Sequence, residues 1–453
     1  MSSVRNKVQP ALEFIPPAFN PTVLRVTQWL LPLWLNKMGC ASIETENVKV
    51  LADIYRQFDL GETRFLIAFR HPNSPNDAFC MAHLLWQAMP QAAKDRGLTL
   101  KYPVHSHFIY DRGIPIWAGS FASWMFSRLG GSSMQRGKLD RQGLRSARNL
   151  MTNGQFPIAI APEGGTNDHS EIVSPLEPGV AQIGFWCVED LQAAGRDQQV
   201  VIVPVSIQYS YVTPPWLELE KLLSEVEADL GLPQLAICQD EASSSSLYLR
   251  LFRAGEELLS LMEKFYNQFY HQQPTPTPSL EDPNAKMAAR LQALLDTALR
   301  VCEEYFDIKP KGNAIDRCRR LEQAGWNRIY REDSEYLCPV ELGLANWVAE
   351  EASLRMNHMR VVERVTAVTG KYVREKHTAE RFGETLLILW KVVTWIKGGN
   401  ASKRPYLGKQ RVQMRVGETI SVSDRYPNYK SNRRQAVDRL TQDLQTALES
   451  LIV

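Results

Sequence analysis

The sequence predicts an α/β protein with a mainly parallel sheet flanked by helices, a large α-helical insertion, and a late return to the sheet. Strand-like and helix-like segments alternate between residues 61 and 212, the order that builds a parallel sheet covered on both faces. Helical periodicity dominates residues 213–405. Strand alternation reappears in "KQRVQMRVGETISV" (409–422), so we expect the chain to rejoin the sheet there.

The first 60 residues predict an N-terminal helical segment. "PTVLRVTQWLLPLWLNKM" (21–38) is typical of a short apolar helix, or of two halves kinked at Pro32. A second, amphipathic helix is expected over residues 43–60. Trp29 and Trp34 give the first helix a second interpretation, contact with a membrane surface.

Residues 61–212 predict the α/β core. The run "RFLIAF" (64–69) is continuously apolar and bounded by breakers, which suits a strand buried on both faces. We expect two helices to end at Gly130 and Gly154, and a third helix to have Pro178 in its first turn. The other expected strands are 105–110, 132–136, 156–165 and 199–212, and the expected helices are 77–94, 119–130, 141–154 and 177–195.

Beyond residue 212 we expect a helical insertion (213–405) interrupted by a Pro/Thr-rich linker, "HQQPTPTPSLEDP" (271–283). Residues 406–453 are expected to add a strand and a final helix that complete the α/β core. The helices predicted in the insertion are 216–231, 246–270, 284–306, 314–332, 339–369 and 378–397.

Bulk properties exclude several classes of protein. With 52 Lys and Arg against 50 Asp and Glu, the charge balance argues against a nucleic-acid binder. Seven scattered cysteines without C-x-x-C spacing indicate reduced thiols, and no signal peptide or run of about 18 apolar residues is visible. We therefore expect a cytoplasmic protein without a metal site.

Four short motifs follow successive predicted strands, where the loops of a parallel sheet gather. In "FRHPNSPNDAF" (69–79), His71 could act as a general base oriented by Asp77, or the two residues could cap a strand and a helix. "GGSSMQR" (130–136) ends in Arg136, either a phosphate ligand or a solvated side chain.

The third motif, "APEGGTN" (161–167), places Glu163 before two glycines whose backbone N–H groups can approach an anion, although a plain turn fits the same residues. The fourth, "VIVPVSI" (201–207), carries Pro204, which indicates an edge, a bulge or a special turn. Among the remaining histidines, His169 is the candidate for a further site residue because it follows the glycine loop.

Taken in order, these motifs resemble those of the glycerolipid acyltransferase family, which includes lysophosphatidic acid and glycerol-3-phosphate acyltransferases. That family carries H-x-x-x-x-D, a G-x-x-x-x-x-R block, F-P-E-G-T-R and a V-P-V block. Here they read "HPNSPND", "GGSSMQR", "APEGGTN" and "IVPVSI". The resemblance covers about residues 62–212, and "VQMRVGETISV" is similar to the strand that follows the fourth block.

The resemblance implies catalytic roles for His71, as base toward the acceptor hydroxyl, and for Asp77, as its orienting carboxylate. It implies that Arg136 contacts the acceptor's phosphate. Glu163, Gly164, Gly165 and Thr166 would bind the acceptor or the oxyanion. No cofactor is implied; the donor would be acyl-carrier protein or coenzyme A carrying an acyl thioester, and the acceptor glycerol-3-phosphate or lysophosphatidic acid.

The sequence departs from the family pattern at three points. Five residues, not four, separate His71 from Asp77, so the strict family position holds Asn76, and either residue is a candidate partner. Ala161 replaces the usual aromatic residue, and Thr166 and Asn167 stand where the third block has its arginine. We therefore keep two functions open: an O-acyltransferase of phospholipid biosynthesis, peripheral to the membrane, and a non-catalytic lipid-binding or scaffold protein.

Overall fold

The computed structural model describes residues 7–73, 76–137, 139–233, 244–272, 281–368 and 371–453. The chain divides into two compact units. The α/β unit comprises residues 13–135, 140–213 and 409–453, and the helical unit comprises residues 1–12, 136–139 and 214–408. Most of the predicted linker 271–283, namely residues 273–280, lies outside the described residues.

The strands, in chain order, are β1 Gln9–Pro10, β2 Cys40–Glu46, β3 Thr63–Phe69, β4 His107–Asp111, β5 Gly131–Met134, β6 Ile158–Ile160, β7 Gln199–Tyr211, β8 Tyr330–Arg331, β9 Gln410–Val416 and β10 Ile420–Ser421. The helices are α1 Pro21–Lys37, α2 Val48–Leu60, α3 Asn76–His83, α4 Met89–Asp95, α5 Ile114–Trp117, α6 Gly119–Arg128, α7 Arg141–Asn153, α8 Gly179–Ala193, α9 Trp216–Asp229, α10 Ser244–Tyr270, α11 Pro283–Phe306, α12 Ala314–Ile329, α13 Pro339–Val365, α14 Tyr372–Glu375, α15 Ala379–Ile396, α16 Tyr426–Ser431 and α17 Arg433–Ser450. A π-helical segment, Leu84–Ala88, joins α3 to α4, and Ser423–Arg425 form a 3₁₀ turn.

The α/β unit is built on one mainly parallel sheet, as the sequence predicts. Its strand order is β2-β9-β7-β3-β6-β4-β5, and β10 pairs with β7 beside this path. All pairings are parallel except those of β7 with β9 and with β10, which are antiparallel. The chain therefore does return to the sheet after the helical block.

Helices cover both faces of this sheet because side chains of a buried strand alternate between two apolar layers. Phe65 and Ile67 of β3 pack into a cluster that includes Leu51 of α2. Leu66 and Ala68 point to the opposite cluster, which contains side chains of α7, α8 and α17. This double burial explains why the sequence of β3 is a continuous apolar run.

The expectation of one helix over residues 43–60 is wrong at its beginning. Residues Cys40–Glu46 form β2, which pairs in parallel with β9, and the helix starts only at Val48. Asn47 separates the two elements with a left-handed backbone (φ 57°), a conformation that Asn tolerates better than most residues. β2 lies at the edge of the sheet, and an edge strand needs few apolar residues. The polar sequence of β2 therefore did not indicate a strand.

Pro204 lies inside the sheet, in β7 between β3 and the two late strands. Its carbonyl accepts a hydrogen bond from the Gly417 N–H (2.8 Å), at the interruption between β9 and β10. Proline has no N–H, and the missing group of Pro204 would point to the same side as its carbonyl. On that side the antiparallel pairing is interrupted between β9 and β10. Of the interpretations that the sequence allowed, an edge strand is therefore excluded.

The helical unit has its own apolar core, formed mainly by α10–α13. Helix α15 buries Leu386, Leu387 and Ile388 almost completely. Within the described parts of the chain, none of the helices combines the length and the apolar character that a membrane-spanning segment requires.

Candidate active site

The candidate site begins where the central strand β3 leaves the sheet. β3 pairs with β6 on one side and with β7 on the other. The Arg70 N–H still donates to the Val205 carbonyl (2.9 Å), so His71 is the first residue beyond the ladder. Helix α3 begins at Asn76, which brings the first turn of a helix back toward this strand end.

His71 and Asp77 are hydrogen-bonded. The distance from His71 Nδ1 to Asp77 Oδ2 is 2.8 Å, and the Asp77 side chain is completely buried while that of His71 is 26% exposed. The carboxylate accepts two further hydrogen bonds, from the Asn73 N–H to Oδ2 (2.7 Å) and from the Tyr209 hydroxyl to Oδ1. Three donors compensate the loss of hydration that a buried carboxylate suffers.

This geometry sets the protonation pattern of the imidazole. Because a carboxylate accepts at Nδ1, the neutral ring carries its hydrogen there and leaves the lone pair on Nε2. Burial, followed by the charge of Asp77, raises the pKa of Tyr209 well above its ordinary value, so its hydroxyl keeps its proton and donates. The arrangement can therefore take up a proton at Nε2 and stabilise the resulting imidazolium.

The partner of His71 in the structure is Asp77, and not Asn76 at the family's strict spacing. Asp77 lies in the first turn of α3, yet its carboxylate reaches back to Asn73 and His71. Pro72, in the loop that joins the two residues, is buried.

Glu163 points into the protein. Its Oε1 accepts from the His71 N–H (3.2 Å), and its Oε2 accepts from the Ser174 N–H (2.8 Å) and from Asn167 Nδ2 (3.4 Å). Arg70 Nε lies 3.7 Å from Oε1. These contacts tie the glycine loop to the histidine loop, so Glu163 supports the position of the His71 backbone. Its predicted contact with an acceptor stays a prediction.

Sequence reasoning missed Arg70, which is completely buried directly before His71. Its guanidinium donates to the carbonyls of His169, Ser170 and Ile172. These bonds hold residues 169–172 beside the end of β3. The sequence did contain an indication of this role, because Arg70 is a charged residue placed directly at the end of a continuous apolar run.

The glycine loop exposes Gly165 and Thr166, while Gly164 is half-buried. Gly164 has a left-handed backbone (φ 66°) and donates its N–H to the Ala161 carbonyl (3.2 Å), which explains the need for glycine. The Asp168 N–H donates to the Pro72 carbonyl (3.0 Å), a second link between the two loops. Gly165 and Thr166 are therefore the accessible part of this loop.

His169 is completely buried, and its Nδ1 lies 2.8 Å from the Asn167 carbonyl oxygen. Burial lowers the pKa of His169 to about 4, so the ring is neutral near pH 7. This neutral, enclosed ring supports the loop, and we do not assign it a role in proton transfer.

Arg136 is half-buried and belongs, with residues 136–139, to the helical unit. Gly137 explains this grouping: a Cβ atom there would lie 2.3 Å from the Arg319 carbonyl oxygen, so only glycine allows the close approach. The role of Arg136 as a phosphate ligand stays a prediction.

Within the ranges that the structure describes, His, Cys, Asp and Glu side chains form no group of three or more that could hold a metal ion.

The fold and this pair define a class: an α/β protein with a histidine–carboxylate pair at the carboxyl end of a central parallel strand. Residues 43–208, somewhat more than a third of the chain, match the family model described as Acyltransferase. This part of the chain is similar to that family, which includes the glycerolipid acyltransferases, and the match supports a general acyltransferase function. No curated protein and no solved structure matched the chain.

Proposed function

We propose that this chain is an O-acyltransferase that moves a fatty acyl group from an acyl thioester to a hydroxyl of a glycerol-phosphate-type acceptor. The observation that carries the proposal is the 2.8 Å contact between His71 Nδ1 and Asp77 Oδ2, with a buried carboxylate held by three donors. A histidine whose second nitrogen is basic suits the removal of a proton from an alcohol near neutral pH.

In the proposed reaction, His71 Nε2 takes the proton of the acceptor hydroxyl while the oxygen attacks the thioester carbonyl. A carbon–oxygen bond forms and the carbon–sulfur bond then breaks. The leaving thiolate receives the proton that His71 holds, so the side chain returns to its first state. Asp77 stabilises the imidazolium between these steps.

We assign the acceptor to the accessible part of the glycine loop, Gly165 and Thr166, with Gly164 shaping the turn. Backbone N–H groups there are suited to the oxyanion of the tetrahedral intermediate. Arg136 is the proposed ligand of the acceptor's phosphate, because its guanidinium matches a phosphate bidentately. Coenzyme A and acyl-carrier protein are both retained as carriers of the acyl group, and phospholipid biosynthesis is the proposed pathway.

The test is an acyl-transfer assay that offers glycerol-3-phosphate and lysophosphatidic acid separately, each with acyl-coenzyme A and with acyl-carrier protein. We expect His71→Ala to lower the rate at least about 100-fold, since a positioned general base contributes roughly 10²–10⁴. His271→Ala is the matched control, because His271 is exposed and lies in the helical unit.

An active protein whose rate is unaffected by His71→Ala would overturn the assignment of the base. If the folded wild-type protein transfers no acyl group in any of the four combinations but binds both lipids, the non-catalytic lipid-binding alternative replaces the enzyme. Neither acceptor is preferred in advance, so the comparison of their rates identifies the substrate.

We also propose that the α/β unit works at a membrane surface. Helix α1 exposes Val26, Trp29 and Leu33, which share one face, and Trp29 is 75% exposed. Helix α6, which contacts α1, exposes Phe121 and Trp124 with their rings stacked at 5.7 Å. Exposed tryptophan and aliphatic side chains on neighbouring helices are suited to the headgroup region of a bilayer.

Flotation with vesicles that contain phosphatidylglycerol tests this contact. We expect Trp29→Glu to lower the vesicle-bound fraction severalfold, because a charge replaces an apolar side chain in the interface. Leu217→Glu is the control: Leu217 is also 75% exposed but lies in α9 of the helical unit. Equal losses for both variants, or no loss for Trp29→Glu, would contradict a specific role of α1.

A further inference from the structure

The helical unit contains a partly open apolar cavity of about 140 Å³. Its walls come from α10, α11, α13 and α15 together with Val368 and Val373, all within the helical unit. Folded cores rarely contain voids larger than a water molecule, so this volume indicates room for a ligand.

The cavity is elongated. Helix α10 lines it from Tyr248 to Met262, and α11 lines it from Asn284 to Leu295, in each case with side chains spaced three or four residues apart. At 1.5 Å per residue these stripes are about 21 and about 16 Å long. A long, narrow space between helices matches a hydrocarbon chain better than a compact ring.

A glycine inside α10 helps to form this space. Gly255 lines the cavity, and a Cβ atom at this position would lie 2.6 Å from Met287 Cε. Glycine in a helix interior is less stable than alanine, so a packing or ligand-related reason is expected. Met262 and Met287 also line the cavity, and their flexible side chains can adjust to an apolar guest.

Water is a poor occupant of the cavity. A buried water molecule needs two to four polar partners. Among the lining residues, Tyr248 and Asn284 already bond to each other, with the hydroxyl 2.7 Å from Asn284 Oδ1. Thr385 contributes a buried hydroxyl that has no partner within the described part of the chain. The lining therefore offers few polar partners to an ordered water.

One end of the cavity is polar and cationic. The ring of Tyr248 stacks on the exposed His377, with centroids 5.4 Å apart. Val373 lines the cavity, and the next residue, Arg374, is 51% exposed and pairs with Asp282 at 2.8 Å. Lys371 and Lys376 are exposed on the same short segment together with the acidic Glu375, so basic side chains outnumber acidic ones there. Along α11 the lining reaches the buried Leu294 and Leu295, so the other end is apolar.

We propose that the helical unit binds one single-chain anionic amphiphile, with its hydrocarbon chain in this cavity and its anionic head beside Arg374 and His377. A fatty acid and a lysophosphatidate share this chemistry. The proposal does not depend on acyl transfer at His71, because every residue that it uses belongs to the helical unit.

The test is isothermal titration of the full chain with decanoate, palmitate and 1-palmitoyl lysophosphatidate, each below its micellar concentration. We expect saturable binding of one molecule per chain, with affinity rising roughly fourfold per added methylene until the cavity is full. Binding of palmitate alone identifies the free fatty acid as the ligand. Binding of palmitate and the lysolipid identifies the chain as the recognised part, and binding of the lysolipid alone identifies the phosphate-bearing lipid.

Two variants locate the site. Gly255→Leu fills the cavity and is expected to weaken binding at least tenfold, whereas Leu249→Trp, on the exposed side of the same helix, leaves it unchanged. Arg374→Gln is expected to weaken binding about threefold. His71→Ala retains binding, which separates this site from the proposed active site.

The proposal is overturned if wild-type protein binds none of the three lipids saturably, or if folded Gly255→Leu binds as tightly as wild type. Circular dichroism establishes whether Gly255→Leu is folded. Should it not fold, the wild-type chain-length series decides, because an affinity that is the same for decanoate and palmitate also excludes an apolar chain site.

Discussion

The α/β unit and the helical unit each hold a histidine among tyrosine hydroxyls, and the two networks differ by one carboxylate. His71 bonds Asp77, which in turn accepts from Tyr209. His358 of α13 lies between two tyrosines, with Nδ1 2.9 Å from the Tyr266 hydroxyl and Nε2 2.9 Å from the Tyr270 hydroxyl.

The difference separates a histidine that can react from one that stabilises a core. Both nitrogens of His358 are used, its exposed fraction is 8%, and burial lowers its pKa to about 4. His71 has one nitrogen committed to a carboxylate and remains partly exposed. A nearby charge that favours the imidazolium, together with an accessible second nitrogen, distinguishes the reactive environment.

The largest expected effect on this comparison is that of Asp77→Asn. An amide fills the same space but carries no charge to stabilise the imidazolium, so we expect kcat to fall at least about 100-fold. Steady-state acyl-transfer kinetics on the folded variant check this. A kcat within threefold of wild type would remove the carboxylate from the mechanism and make the two histidine networks equivalent.

His358→Ala is expected to act on stability instead. It leaves the buried hydroxyl of Tyr266 and the half-buried hydroxyl of Tyr270 without their partner and opens a cavity, so the free energy of unfolding should fall by about 2–4 kcal/mol. Urea unfolding measures the loss, and kcat per folded molecule should be unchanged. A large fall in kcat without loss of stability would show that His358 also serves the reaction.

Acid should weaken the protein through its buried neutral histidines. The pKa of His358 is about 4 in the folded state, below the value of about 6.5 in an unfolded chain, so the unfolded state binds protons first. Its contribution, on the order of 3 kcal/mol, is present above pH 6.5 and is lost as the pH falls toward 4.

Unfolding free energies measured between pH 7 and pH 5 test this sign. His358→Gln removes the titrating group, so its stability should decline less steeply with falling pH than that of wild type. Parallel slopes for the two proteins would contradict the assignment. His105 and His169, whose pKa values are also lowered to about 4 by burial, contribute to the slope from the α/β unit.

Tyr209→Phe should have the smallest effect. It removes one of three donors to Asp77 and keeps the ring, so we expect about a tenfold fall in kcat with little change in KM. Tyr110→Phe is the control, since Tyr110 is buried in the same sheet and its hydroxyl has no partner within the described part of the chain. Equal effects of the two substitutions would indicate a general loss of packing.

Much of the fold was predictable because local patterns carry it. The continuous apolar run of β3 and the helical periodicity of the insertion can each be recognised from neighbouring residues in the sequence. β2 did not, because "CASIETE" is a polar edge strand whose pairing partner, β9, lies at the far end of the chain. Edge strands are defined by their neighbours rather than by their own residues.

The candidate site was also predictable only where its contacts are local in the sequence. His71 and Asp77 are six positions apart, so their pairing could be weighed from the loop sequence. Tyr209 is 132 positions from Asp77, and nothing in its strand indicates a catalytic neighbour. The inward orientation of Glu163 depends on Asn167 within the same motif, and also on the N–H groups of His71 and Ser174, which lie outside residues 161–167.

The position of β9 has a consequence for biosynthesis. This strand separates β2 from β7, yet it leaves the ribosome only after the whole helical insertion has been made. Until then the nascent chain presents β7 with one unpaired edge and β2 with no neighbour, a condition that invites association with other chains. During co-translational folding, β9 therefore inserts late between β2 and β7. We expect a fragment that stops at residue 208 to aggregate, because the strand edges that β9 covers stay unpaired in it.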